Sequence, residues 1–151
     1  MPVSELVAET MKSVIALIQD LQVISLKNAE ALIRSEDFEA NGLKEIFAKS
    51  RMLIHSLEQI FQVHGHQGFQ LRHFSLWREA EKELSSILQC ILQSFEMKNA
   101  EIVSELLDSA FPDALTRWEE VLEKEILDNT SISTIFGLKS GHRGADNGVD
   151  A

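Results

Sequence analysis

The chain has 151 residues and a formal charge of −10, with 24 acidic against 14 basic side chains, 44% apolar residues and 25% charged ones. That is the balance of an ordinary globular protein, and one domain of this size can bury about two-thirds of the surface its unfolded form exposes. The composition excludes several classes. No basic stripe is present to neutralise phosphates, which argues against nucleic acid, and no run approaches the ~20 apolar residues of a membrane span. A single cysteine, Cys90, allows neither an intrachain disulfide nor a cysteine-based zinc site.

The opening "MPVSELVAETMKSV" lacks a basic segment followed by a continuous apolar run, and Glu5 and Glu9 interrupt what a secretory signal would keep apolar. A cytoplasmic protein is expected. Val7, Met11, Val14, Ile18, Leu21, Ser25, Asn28 and Leu32 recur at three- and four-residue spacing, which predicts a first helix about nine turns long. Ser25 and Asn28 put polar groups on its apolar seam. Buried, they need partners, and such groups can fix the register of neighbouring helices.

The polar stretch "RSEDFEANG" follows, with Ser35 or Asp37 able to cap a second helix. That helix carries the stripe Leu43, Ile46/Phe47, Ser50, Leu53/Ile54, Leu57 and Ile60/Phe61. A third stripe runs Phe74, Trp77, Ala80, Leu84, Ile87/Leu88, Ile91 and Phe95, with Cys90 read as a buried thiol among apolar neighbours. Asn99 is a good N-cap for a fourth helix. Its stripe is Ile102/Val103, Leu106/Leu107, Ala110/Phe111, Leu115, Trp118, Val121/Leu122 and Ile126. Pro112 removes a backbone donor and crowds the preceding turn, so a kink or short break is expected near Ala110–Phe111. The acidic residues of this stretch, from Glu96 through Glu119, Glu120, Glu123 and Glu125 to Asp128, read as a solvated helix face, with a docking surface for a basic partner as the alternative.

Four helices with short connections and no period-two alternation predict an all-α fold. The expected architecture is an antiparallel up-down four-helix bundle of two helical hairpins over residues 1–129. Residues 130–151 read as a C-terminal tail, apolar at first and then flexible. Its "ISTIFGL" would leave Ile132, Ile135, Phe136 and Leu138 as an exposed apolar patch, so it is expected to pack against the bundle or a partner.

Chemistry-bearing residues are sparse. "IFQVHGHQGFQLRHF", residues 60–74, gathers His64, His66 and His73 between two apolar stripes. Imidazoles at this spacing could contribute to a zinc or nickel site, but no cysteine or adjacent carboxylate completes a rigid set of four. Gly65 and Gly68 point instead to a turn between helices. "GHQG" has no Gly-Lys-Ser/Thr ending to hold phosphate. His55, in "RMLIHSLEQIF", looks like the start of the His-x-x-Lys-Gly segment of histidine phosphotransfer modules, which makes it the phosphoacceptor under that alternative. Glu58 and Gln59 stand where that family has lysine and glycine, and a carboxylate there repels a phosphoryl group. No Glu-x-x-His pair for a di-iron bundle and no Ser-His-Asp or Cys-His arrangement is indicated. A non-enzymatic protein with no cofactor is expected.

"EKELSSILQCILQSFEMKNAEIVSELLDSAFPDALTRWEEVLE" resembles the second hairpin of the flagellin export chaperone family, with Trp118-Glu119-Glu120 the closest point of likeness. "IRSEDFEANGLKEIFAKSRMLIHSLEQI" resembles the first hairpin, so the likeness spans residues 20–125; the family's tyrosine-containing leading segment has no counterpart in a chain without tyrosine. The resemblance implies a bundle that shields an amphipathic helix of a flagellar or secreted client until export. Trp77, Trp118, Ile132, Ile135, Phe136 and Leu138 are the candidate partner contacts. For the two tryptophans, which lie on the apolar stripes of helices three and four, core anchoring is the favoured reading and an interface hot spot the sharper one. A homodimer or a homo-oligomeric structural bundle is the competing expectation.

Overall fold

A computed structural model describes residues 2–35 and 41–137. The fold is all-α, with no strand among the described residues. Helix α1 spans Val3–Ser35, α2 Asn41–Val63 and α3 Phe74–Glu96. Helix α4, Ala100–Glu105, passes through a π-helical turn at Leu106–Ala110 into α5, Phe111–Asp128, and a two-turn α6 covers Thr130–Ile135. The expected caps at Ser35 and Asp37 lie outside the described residues or in side chains not described. Asn99 does cap α4, accepting the Ile102 N–H at 3.2 Å.

The periodic stripes are the buried faces. Val7, Met11, Val14, Ile18, Leu21 and Leu32 of α1, Leu43, Ile46, Leu53, Leu57 and Ile60 of α2, and Trp77, Leu84 and Ile91 of α3 join Val103, Leu107, Phe111, Leu115, Trp118 and Leu122 in one core. Cys90 corrects the sequence reading: it is exposed, because it sits about 100° round the helix from Ile91, off the seam.

Helix α1 packs along α2 on one side and along α4 and α5 on the other, while α3 packs on α5. Gln19 meets Glu119, Gln22 meets Thr116, Ser25 meets Leu107 and Ser104 meets Ala29, so numbers fall along one strand of contacts as they rise along the other. Helices α2 and α3 approach less closely, and aromatic side chains bridge them: Phe47 to Phe95 at 6.4 Å and Phe61 to Phe74 at 5.6 Å between ring centroids.

Pro112 and Ser25, which lie far apart in sequence, turn out to be one device. The break expected at Ala110–Phe111 is a π turn just ahead of the proline, after which the helix continues. In this turn the Phe111 N–H bonds to the Leu106 carbonyl, one residue farther back than in an α-helix. The next bond in that register would run from residue 112 to the Leu107 carbonyl, and proline has no hydrogen to give. Ser25 Oγ, fully buried on α1, donates to that carbonyl at 2.6 Å. Ser25→Ala is therefore expected to cost about 1–3 kcal/mol by leaving a buried carbonyl unpaired. The cost should shrink in a Pro112→Ala background, where residue 112 regains an N–H; urea denaturation of the four proteins of that cycle measures the coupling.

Candidate functional site

The connection at residues 64–73 is an ordered turn. Gly65 and Gly68 have φ of +85° and +79°, the left-handed region that glycine enters without steric cost. Gly65 N–H donates to the Phe69 carbonyl at 2.8 Å, and the loop tucks Phe69 and Leu71 into the core, two core residues that lie between the predicted stripes. His64 stacks on Phe74 at 4.4 Å between centroids and its Nδ1 accepts the Leu71 N–H at 2.9 Å. His73 Nε2 lies 2.9 Å from Asp128 Oδ2, and His66 is exposed. The rings of His64 and His73 serve different contacts, and among the described residues no three His, Cys, Asp or Glu side chains gather as a metal-holding group. His55 is exposed on α2, with Glu58 exposed one turn later.

Glu125 overturns the solvated-face reading at its own position. It is 0% exposed, and each carboxylate oxygen accepts two hydrogen bonds. Oε1 takes the His73 N–H at 3.0 Å and the Trp77 Nε1–H at 3.1 Å; Oε2 takes the Arg72 N–H at 2.7 Å and the Asn129 side-chain amide at 2.8 Å. A negative group here also complements the N-terminus of α3. One side chain thus ties α5 to the start of α3, to the core indole and to the junction with α6.

Trp77 and Trp118, candidate partner contacts from sequence, are both 0% exposed and pack edge to face at 5.3 Å. They are core side chains in this fold, because helical stripes aim them inward at the centre of the bundle, and neither indole presents a surface to a partner. Trp77 also meets Phe61 edge-on at 5.7 Å.

The apolar C-terminal segment folds back onto the body. Asn129 ends α5 and begins α6 in an extended conformation, so the chain bends through one residue. Its side-chain amide donates to the Gln70 carbonyl at 2.8 Å as well as to Glu125, and Gly137, at φ +79°, terminates α6. Helix α6 lies against α1 and α5. Ile132 is fully buried, Ile135 and Phe136 are half-buried against the core, and Lys12 Nζ sits 5.2 Å from the Phe136 ring centroid. The tail boundary drawn at residue 129 is thus a bend, and residues 130–137 belong to the packed body. Leu138 lies outside the described residues.

Two other surfaces show apolar character. The α2–α3 seam exposes the edges of Phe47, Ile54, Phe61, Phe74, Leu88 and Phe95, all half-buried. A depression of about 460 Å³ beside Phe61 and Phe74 is rimmed by Glu58, Arg78 and Glu81. A second groove, of about 530 Å³, runs between the end of α1 and α4.

Ion pairs hold the outer faces. Lys49 on α2 reaches Asp20 on α1 at 2.6 Å, and that hydrogen bond raises the lysine pKa above its ordinary value. The raised value means that whatever this pair contributes is present through the neutral range and lost only as pH climbs through the lysine range. Arg117 on α5 pairs with Glu83 on α3, which likewise raises the guanidinium pKa. Such exposed pairs contribute little to stability. No helix among the described residues is long and apolar enough to cross a membrane. Comparison with protein-family models, with curated proteins and with solved structures found no match.

Proposed function

We propose that this chain is a non-enzymatic helix-binding protein, a chaperone or adaptor of the cytoplasm that shields an amphipathic segment of an export or assembly client. In this reading the four main helices form an antiparallel up-down bundle of two hairpins. The observation that carries it is the seat of α6: a two-turn helix with Ile132 on its inner face and Thr134 exposed, held between α1 and α5 of the same chain. A groove that accepts this segment has the shape and apolarity to accept a similar segment of another protein by the same packing. The chain's own segment then acts as a plug that a client displaces. A flagellar or other secreted protein is the client class that the resemblance of residues 20–125 favours.

Deletion of residues 130–151 tests the reading directly. With the plug gone, affinity for amphipathic helical peptides, read by calorimetric titration, is expected to rise. The rise is ~10-fold if α6 occupies its seat about nine-tenths of the time, because apparent affinity scales with the fraction of open molecules. Unchanged or weaker binding, with the helical circular-dichroism spectrum retained, would sink the displacement mechanism.

A further inference from the structure

The groove between the end of α1 and α4 has a different character from the α6 seat, and it faces solvent. Leu32, Ile33 and Ala100 supply its apolar lining. Ile33 is 72% exposed, and Leu26, seven residues earlier and so on the same helix face, is 48% exposed. These side chains continue an apolar stripe outward from the core along one edge of α1. The opposite wall is Glu101, Glu105 and Asp108, which succeed one another along a single face of α4 and the π turn.

Structural demands explain only part of this arrangement. Glu101 lies in the first turn of α4, where an acidic side chain favours the helix. Glu105 and Asp108 lie beyond that turn, and none of the ion pairs among the described residues includes any of the three. An exposed isoleucine opposite a row of three carboxylates is costly in isolation and complementary to one kind of surface. From Ala100 to Asp108 the wall rises about 12 Å, at 1.5 Å per residue, which is the length of two helical turns.

We infer that this groove docks a basic amphipathic helix of a partner protein, its apolar face on Ile33, Ala100 and, farther along the same edge of α1, Leu26, and its lysines or arginines along Glu101, Glu105 and Asp108. Charge selects the occupant. A second copy of this chain, at −10, brings like charge to the rim, whereas a basic segment gains attraction on approach and is steered to the groove. The inference rests on the helix-binding reading but not on displacement of α6.

The test uses the full chain and two eighteen-residue peptides patterned as amphipathic helices, one of leucine and lysine and one of leucine and glutamate, with affinity read by fluorescence anisotropy. The lysine peptide is expected to bind and the glutamate peptide not to. Ile33→Asp should weaken binding by ~10-fold or more, as for an apolar contact at the centre of an interface. Glu105→Lys with Asp108→Lys should weaken it by ~10-fold at low salt and flatten its salt dependence. All three side chains are exposed, so the variants should fold, and thermal melts confirm it. Equal affinity for the two peptides, or binding that survives both groove variants, overturns the inference. If the lysine peptide binds only after deletion of residues 130–151, the groove assignment falls and the α6 seat stands; if neither peptide binds either protein, both fall.

Discussion

Glu125→Leu is expected to destabilise the protein by about 3–5 kcal/mol, because it leaves several buried donors without an acceptor at about 1–3 kcal/mol each. Four donors lose their acceptor at once: two backbone N–H groups entering α3, the Trp77 indole and the Asn129 amide. Leucine matches the volume but accepts nothing. Glu125→Gln is also expected to be harmful, by about 1–3 kcal/mol, since the amide nitrogen would face two donors where the second carboxylate oxygen had accepted them. Domains of this kind have about 5–15 kcal/mol in total, so the leucine variant should lose a large share of its stability. Urea midpoints for wild type, Glu125→Gln and Glu125→Leu check the order. A leucine variant as stable as wild type would show that these donors find other partners.

Trp77→Ala should cost about 3–5 kcal/mol, the range for deleting a buried aromatic side chain. It removes the edge-to-face contacts with Trp118 and Phe61 and one of the four donors to Glu125. The phenylalanine substitutions separate packing from hydrogen bonding. Trp118 is equally buried, but its Nε1 has no hydrogen-bond partner among the described residues, whereas Trp77 Nε1 donates to Glu125. Trp77→Phe is therefore expected to be costlier than Trp118→Phe by about 1.5–3 kcal/mol, the value of a hydrogen bond to a charged group. Equal denaturation midpoints for the two variants would contradict the assignment.

Both predictions centre on side chains whose burial was written in the spacing, though only one was read that way. Trp118, Leu122, Glu125 and Asn129 follow one another at intervals of four, three and four, so Glu125 lies on the apolar seam of α5 as Ser25 lies on that of α1. Counting it among the surrounding acids hid the signal. Ser25 was legible as a buried polar group because the stripe continued on either side of it. Cys90 failed in the opposite direction: apolar residues adjoin it in sequence, but on the helix surface it lies between Ser86 and Gln93, both exposed.

The helices, their inward faces, the cap at Asn99 and the disturbance ahead of Pro112 all follow from interactions within a few residues, at a period of 3.6 that any long amphipathic segment displays. Partners across the bundle carry no such period. The donors to Glu125 include backbone groups 52 and 53 residues away, and the hydroxyl that completes the π turn comes from 82 residues away. Such pairings depend on how far helices slide and rotate against one another. The same docking sends both indoles inward, folds Ile132, Ile135 and Phe136 onto the body, and leaves Ile33 facing three carboxylates across an open groove. Local periodicity marks a residue as buried or exposed; what a buried polar group bonds to, and which apolar residues remain open to a partner, emerges only when the helices are packed.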